Sequence, residues 1–86
     1  MFDTGGRYGL DPNVAVRPEP FGALAYHYGS RRLTFLRSRL LADLVRDLDQ
    51  HESVDAALES VVPVSERDSY KKALASLAES RFIRAC

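Results

Sequence analysis

The chain has 86 residues, of which 45% are hydrophobic, and its 12 basic and 12 acidic side chains cancel to a formal net charge of zero. That length supports one domain with one modest core. No apolar run reaches membrane-span length, and the balanced charge lacks the basic excess with which nucleic-acid binders displace counterions. The single cysteine, Cys86, cannot form an internal disulfide, and Met1–Arg7 lacks the basic start and apolar stretch of a signal peptide. Both point to a reducing, cytoplasmic setting.

Residues 1–13 are Gly-rich and without periodicity. They are expected as a mobile N-terminal arm, the alternative being that Phe2, Tyr8 and Leu10 anchor it. Val14-Ala15-Val16-Arg17 is a short candidate strand. Pro18 and Pro20 follow it, and because proline lacks a backbone N–H, this strand suits a sheet edge and is blunted against further pairing.

Gly22–Tyr28 and Arg31–Arg37 read as a hairpin joined by a two-residue Gly29-Ser30 turn. The turn places Tyr28 opposite Arg31, Tyr26 opposite Leu33 and Leu24 opposite Phe35. Leu24, Tyr26, Leu33 and Phe35 then share one face, read here as the buried one. On that reading Leu33→Ala would cost about 2–5 kcal/mol of stability. Ala23, Ala25, His27, Arg32, Thr34 and Leu36 share the other, more polar face, where His27 reads as a surface residue.

From Ser38 the apolar period lengthens to about 3.6 residues. Leu40, Leu41, Leu44, Val45 and Leu48 form one helical stripe behind an Ser38 N-cap, and Arg39 and Asp43 read as a solvated pair. Ser53 caps a second, shorter helix with Val54, Ala57, Leu58 and Val61 inward, and Pro63 stops it. Ser65-Glu66-Arg67-Asp68 resembles a capping box for a third helix, with Tyr70, Ala73, Leu74, Leu77 and Ala78 inward. Phe82 and Ile83 return to the core. Three strands followed by three helices predict an α+β domain over residues 14–86, with helices on one face of a small antiparallel sheet.

Chemistry for catalysis is missing from this pattern. His27 and His51 have no Cys, Asp or Glu at metal-ligand spacing, the glycines form no phosphate loop, and no serine sits in a nucleophile elbow. No cofactor is called for. A small domain with a free strand edge is instead suited to hold an extended peptide, and such an edge can also pair with another copy of itself to give a homodimer.

The run Arg17-Pro18-Glu19-Pro20-Phe21-Gly22-Ala23-Leu24-Ala25-Tyr26-His27-Tyr28-Gly29, continuing through Arg32-Leu33-Thr34-Phe35-Leu36, resembles the mycofactocin precursor-peptide chaperone family (MftB-like). The resemblance covers about Val14 to Ile83, and it departs from the family's pattern where Arg39, not proline, follows Ser38. The wider group is the PqqD-like RiPP recognition element, a winged-helix-like domain of three strands followed by three helices. Such proteins bind the leader of a ribosomally made precursor peptide and deliver it to a radical S-adenosylmethionine maturase, which carries out the chemistry. In the wider group the leader adds as a strand to the third strand, beside the third helix.

Carried onto this chain, the resemblance implies a peptide-binding strand of Arg32, Leu33, Thr34, Phe35 and Leu36. With the two-residue turn, Arg32, Thr34 and Leu36 would direct their backbone groups outward. Tyr70, Leu74 and Leu77 would line the groove floor with Lys71 at the rim, and Arg32, Lys71 and Arg37 would suit an acidic leader. Two other readings compete: a winged-helix DNA-binding protein, which wants a cation-dense recognition helix, and a structural subunit of an enzyme complex that binds no peptide itself.

Overall fold

The computed structural model describes residues 2–86; Met1, at the head of the expected arm, lies outside the described residues. Strands β1 (Tyr8–Leu10), β2 (Val14–Glu19), β3 (Gly22–His27) and β4 (Arg32–Leu36) are followed by helices α1 (Arg39–Arg46), α2 (Val54–Val61) and α3 (Arg67–Glu79), and by a last strand, β5 (Ile83–Ala85). β2, β3 and β4 form an antiparallel sheet in that order, with α1 packed on it. This is the expected α+β arrangement of a three-stranded sheet followed by three helices.

Local chemistry sets the element ends. Ser38 Oγ accepts the Leu41 N–H at 3.1 Å and Ser53 Oγ accepts the Ala56 N–H at 3.0 Å, so both serines are side-chain N-caps. The third helix departs from expectation: a 3₁₀ turn over Val64–Glu66 precedes it, and no side chain caps it. Its first residue, Arg67, instead reaches back to the carbonyls of Val62 (2.9 Å) and Glu59 (3.3 Å) at the end of α2. Asp43 pairs with Arg46, not with Arg39.

The stretch read as an arm is tied down. β1 pairs antiparallel with β5, Tyr8 is buried, and the Phe2 ring lies 4.9 Å from that of Tyr8. The Gly6 and Thr4 carbonyls accept the Val54 (3.0 Å) and Asp55 (2.9 Å) N–H groups, satisfying donors in the first turn of α2. Three-residue strands are too short to show a period, so the sequence pattern carries no trace of this second sheet.

The hairpin register is as expected, with Leu24 opposite Phe35 and Tyr26 opposite Leu33. The faces are reversed. Ala23, Ala25 and Leu36 are buried at 1% exposure, whereas Leu33 and Phe35 stand 59% and 58% exposed. The helices supply the apolar volume of the core through Leu41, Leu44, Val45, Leu58, Leu74 and Leu77. Small side chains on the covered face of β3 let α1 approach closely, and large ones there would overfill the space.

His27 shares this covered face and is buried, which corrects its reading as a surface residue. Its Nδ1 accepts the Ser30 N–H at 3.1 Å, its Nε2 lies 3.9 Å from Asp11 Oδ2, and its ring meets Phe82 edge-on at 5.8 Å. Gly22 closes the other end of the hairpin. Its φ is +150°, and a Cβ built there would sit 2.0 Å from the Leu36 carbonyl oxygen. Only glycine permits that approach.

Two stability predictions follow from these faces. In chemical denaturation, Leu36→Ala is expected to cost about 2–5 kcal/mol, while Leu33→Ala stays within about 0.5 kcal/mol of the parent. Gly22→Ala is expected to cost more than the ~1–3 kcal/mol of backbone strain alone, because the Leu36 carbonyl must also move; an unchanged midpoint would contradict the tight closure.

Candidate functional site

β4 ends the sheet, so one side of it has no strand neighbour. Two bonds on β3 determine which residues face that side. The Tyr28 N–H donates to the Asn13 carbonyl at 2.8 Å, toward β2, and the His27 carbonyl accepts the Arg31 N–H at 2.8 Å, toward β4. Backbone groups alternate in direction along a strand. Leu24 and Tyr26 therefore face β2, while Ala23, Ala25 and His27 face their β4 partners Leu36, Thr34 and Arg32. The N–H and C=O groups of Leu33 and Phe35 point to the open side, where nothing among the described residues pairs with them.

This reverses the expectation that Arg32, Thr34 and Leu36 face outward. Its cause is the turn. β3 ends at His27 and β4 begins at Arg32, so the connection spans residues 28–31, with Arg31 in the left-handed region at φ 59°. A two-residue turn and this four-residue turn align the same partners, but they exchange the hydrogen-bonded and non-hydrogen-bonded pairs. His27, buried beneath the turn and accepting the Ser30 N–H, holds the longer form.

The opposite edge of the sheet is poorer in donors. By the same alternation Val14, Val16 and Pro18 face outward from β2. The Val14 N–H is already bonded to the Asp11 carbonyl at 2.9 Å, and Pro18 has none. Pro18 thus sits where its missing donor removes no ladder bond. β4 is the more open template.

Beside the C-terminal end of β4 lies a groove of about 250 Å³ lined by Arg37, Ser38 and Leu41 on one side and Ser69, Tyr70 and Ala73 on the other. It continues along α3 past Lys72 and Ser76 as a wider, shallower depression of about 540 Å³. Tyr70 is half-buried, and its hydroxyl lies 3.0 Å from Ser38 Oγ, tying α3 to the N-cap of α1. Ser69, Ala73 and Ser76 recur at helical spacing, and their small side chains leave the channel open.

Not all the sequence-expected site residues meet here. Leu33, Phe35 and Tyr70 lie at the edge or the groove. Leu36, Leu74 and Leu77 are buried in the core. Lys71 is turned toward α2, with its Nζ 3.7 Å from Asp55 Oδ1, so Lys72 and not Lys71 borders the groove. Arg32 is exposed at the start of β4 with Arg31, and Arg37 is exposed at its end. Among the described residues none of these three arginines takes part in an ion pair. Ser69, Ala73 and Lys72 line this groove but were not expected there; for Ser69 and Ala73 the signal was the row of small residues flanking the apolar stripe of α3.

Among the described residues no three His, Cys, Asp or Glu side chains gather to bind a metal. No helix among them is long and apolar enough to cross a membrane. The site offers two free backbone donor–acceptor pairs, an adjacent shallow channel and unpaired cations.

The sequence profile of the Peptide chaperone MftB family matches residues 7–84. Over 83 residues, 95% of this chain, it is 45% identical to the Peptide chaperone MftB of Mycobacterium ulcerans (strain Agy99) and 41% identical to that of Mycobacterium tuberculosis (strain ATCC 25618 / H37Rv), covering 76% of each. It is 40% identical over the same length to that of Mycolicibacterium smegmatis (strain ATCC 700084 / mc(2)155), covering 81% of it. No solved structure matches the chain. The name these relatives share describes a non-catalytic role. This chain belongs to the peptide chaperone MftB family.

Proposed function

We infer that this protein is a cytoplasmic adaptor that captures the leader of the mycofactocin precursor peptide as a fourth strand on β4 and delivers it to a radical S-adenosylmethionine maturase. The observation that carries this reading is the unpaired backbone of Leu33 and Phe35 at the β4 edge of the three-stranded sheet, which unlike the β2 edge is not blunted. An extended peptide pairing there gains main-chain hydrogen bonds, and its side chains alternate between the two faces of the sheet. Those on the helix side enter the channel along α3. That channel's narrow part, about 250 Å³, suits side chains of a bound strand.

The DNA-binding reading loses support from the same geometry. Of the cations on α3, Arg67 is spent on α2 carbonyls and Lys71 on Asp55, which leaves a poor recognition helix. Pairing of β4 with a second copy would occupy the same edge and compete with the peptide.

Isothermal titration with the synthetic leader of the precursor peptide encoded beside this protein, with and without the maturase, tests the adaptor reading. Saturable binding near one-to-one is expected; a folded protein that binds no leader under either condition would contradict it. Phe35→Pro removes an outward N–H and is expected to weaken binding while the fold survives, whereas Thr34→Pro removes a ladder donor and is expected to destabilise the sheet. With Arg31, Arg32 and Arg37 unpaired beside the edge, affinity for an acidic leader is expected to fall as ionic strength rises; affinity independent of salt would remove that electrostatic contribution.

A further inference from the structure

The uncovered face of the sheet carries large apolar side chains. Phe21, Tyr28, Leu33 and Phe35 are all more than half exposed, at 54%, 61%, 59% and 58%. Two ring pairs lie among them and the half-buried Tyr26: the Phe21 and Phe35 centroids are 5.5 Å apart, and those of Tyr26 and Tyr28 are 5.1 Å apart. Single exposed hydrophobes are ordinary, but a contiguous cluster on one face marks a contact surface.

Two members of this cluster coincide with the free edge. Leu33 and Phe35 are the residues whose side chains stand on the uncovered face and whose backbone groups point off the sheet. Pleating ties these directions together for any added strand. Residues of an incoming strand that lie level with Leu33 and Phe35 must project onto the same face. They would be about 5 Å away between Cβ atoms, within contact of the Leu33 side chain and the Phe21–Phe35 ring pair.

We propose that the uncovered face is a second specificity surface for the captured peptide: the bound segment presents two apolar side chains, two residues apart, to Leu33 and Phe35. This rests on strand addition at β4 and goes beyond it, because backbone pairing alone accepts any extended sequence. The occupant is thereby defined by chemistry. It is an extended segment with an apolar–x–apolar pattern on its outer face, its intervening side chain directed to the α3 side.

The test is a set of double-mutant cycles read by isothermal titration with the synthetic leader and its single-alanine variants. Leu33→Ser and Phe35→Ser alter exposed side chains, so the fold is expected to persist, checked by circular dichroism. Each is expected to weaken leader binding by at least about fivefold, and two leader positions spaced two apart are expected to lose a similar factor on alanine substitution. Those leader losses should shrink toward unity against Leu33→Ser or Phe35→Ser, the signature of direct coupling. Wild-type binding that both serine variants retain in full, or leader losses that persist unchanged against them, would overturn this inference and leave strand addition standing. A leader that binds the wild-type protein without protecting the Leu33 and Phe35 amides would overturn strand addition and this inference together.

Discussion

A β-strand alternates in two senses at once: its side chains between the two faces of the sheet, and its backbone groups between its two neighbours. In this protein both alternations are set at one place, the connection from His27 to Arg32. Because that connection has four residues, Leu33 and Phe35 fall in the phase that is open in both senses. Ala23, Ala25 and Leu36 fall in the opposite phase, covered by helices and committed to the ladder. The core, the free edge and the uncovered apolar face are thus three consequences of one parity.

The features that hold this phase are local and identifiable. His27 is buried beneath the turn, accepts the Ser30 N–H and lies near Asp11, while Gly22 allows the Leu36 carbonyl to approach at the far end. The run from Pro18 to Gly22 has matching uses. Pro18 blunts the β2 edge without losing a ladder bond, Phe21 backs Phe35, and Gly22 closes the hairpin. Peptide capture is asymmetric on this account: one edge is closed by proline and a turn bond, and the other is left open beside a channel lined with small residues of α3. Under the proposed strand addition, the donors and acceptors of the protein's own backbone do the holding.

Much of this was legible in the sequence. The helix starts at Ser38 and Ser53, most of the inward stripes of the helices and the cross-strand partners of the hairpin follow from periodicity and capping chemistry; Val61, expected inward on α2, is instead exposed. What was not legible has a physical reason in each case. Leu24, Tyr26, Leu33 and Phe35 form the more apolar face of the hairpin, and apolar volume ordinarily marks burial. Here the helices bring the volume, so the sheet must offer small side chains to them. The outward-facing residues were misassigned because two-residue and four-residue turns give one register but opposite hydrogen-bonding phases, which the turn's backbone bonds, the Arg31 conformation and the burial of His27 distinguish. The resemblance placed Lys71 at the rim; its pairing with Asp55 depends on where α2 lies, and that is tertiary information.

Residue-resolved amide hydrogen exchange, on the free protein and on its complex with the precursor leader, tests the central claim most directly. In the free protein the Leu33 and Phe35 amides should exchange fast while those of Arg32, Thr34 and Leu36 are protected by the ladder. Addition of the leader should protect Leu33 and Phe35 and leave the other three as they were. A leader that binds while Leu33 and Phe35 stay unprotected, or a free protein in which the protected set is the reverse, would contradict the account.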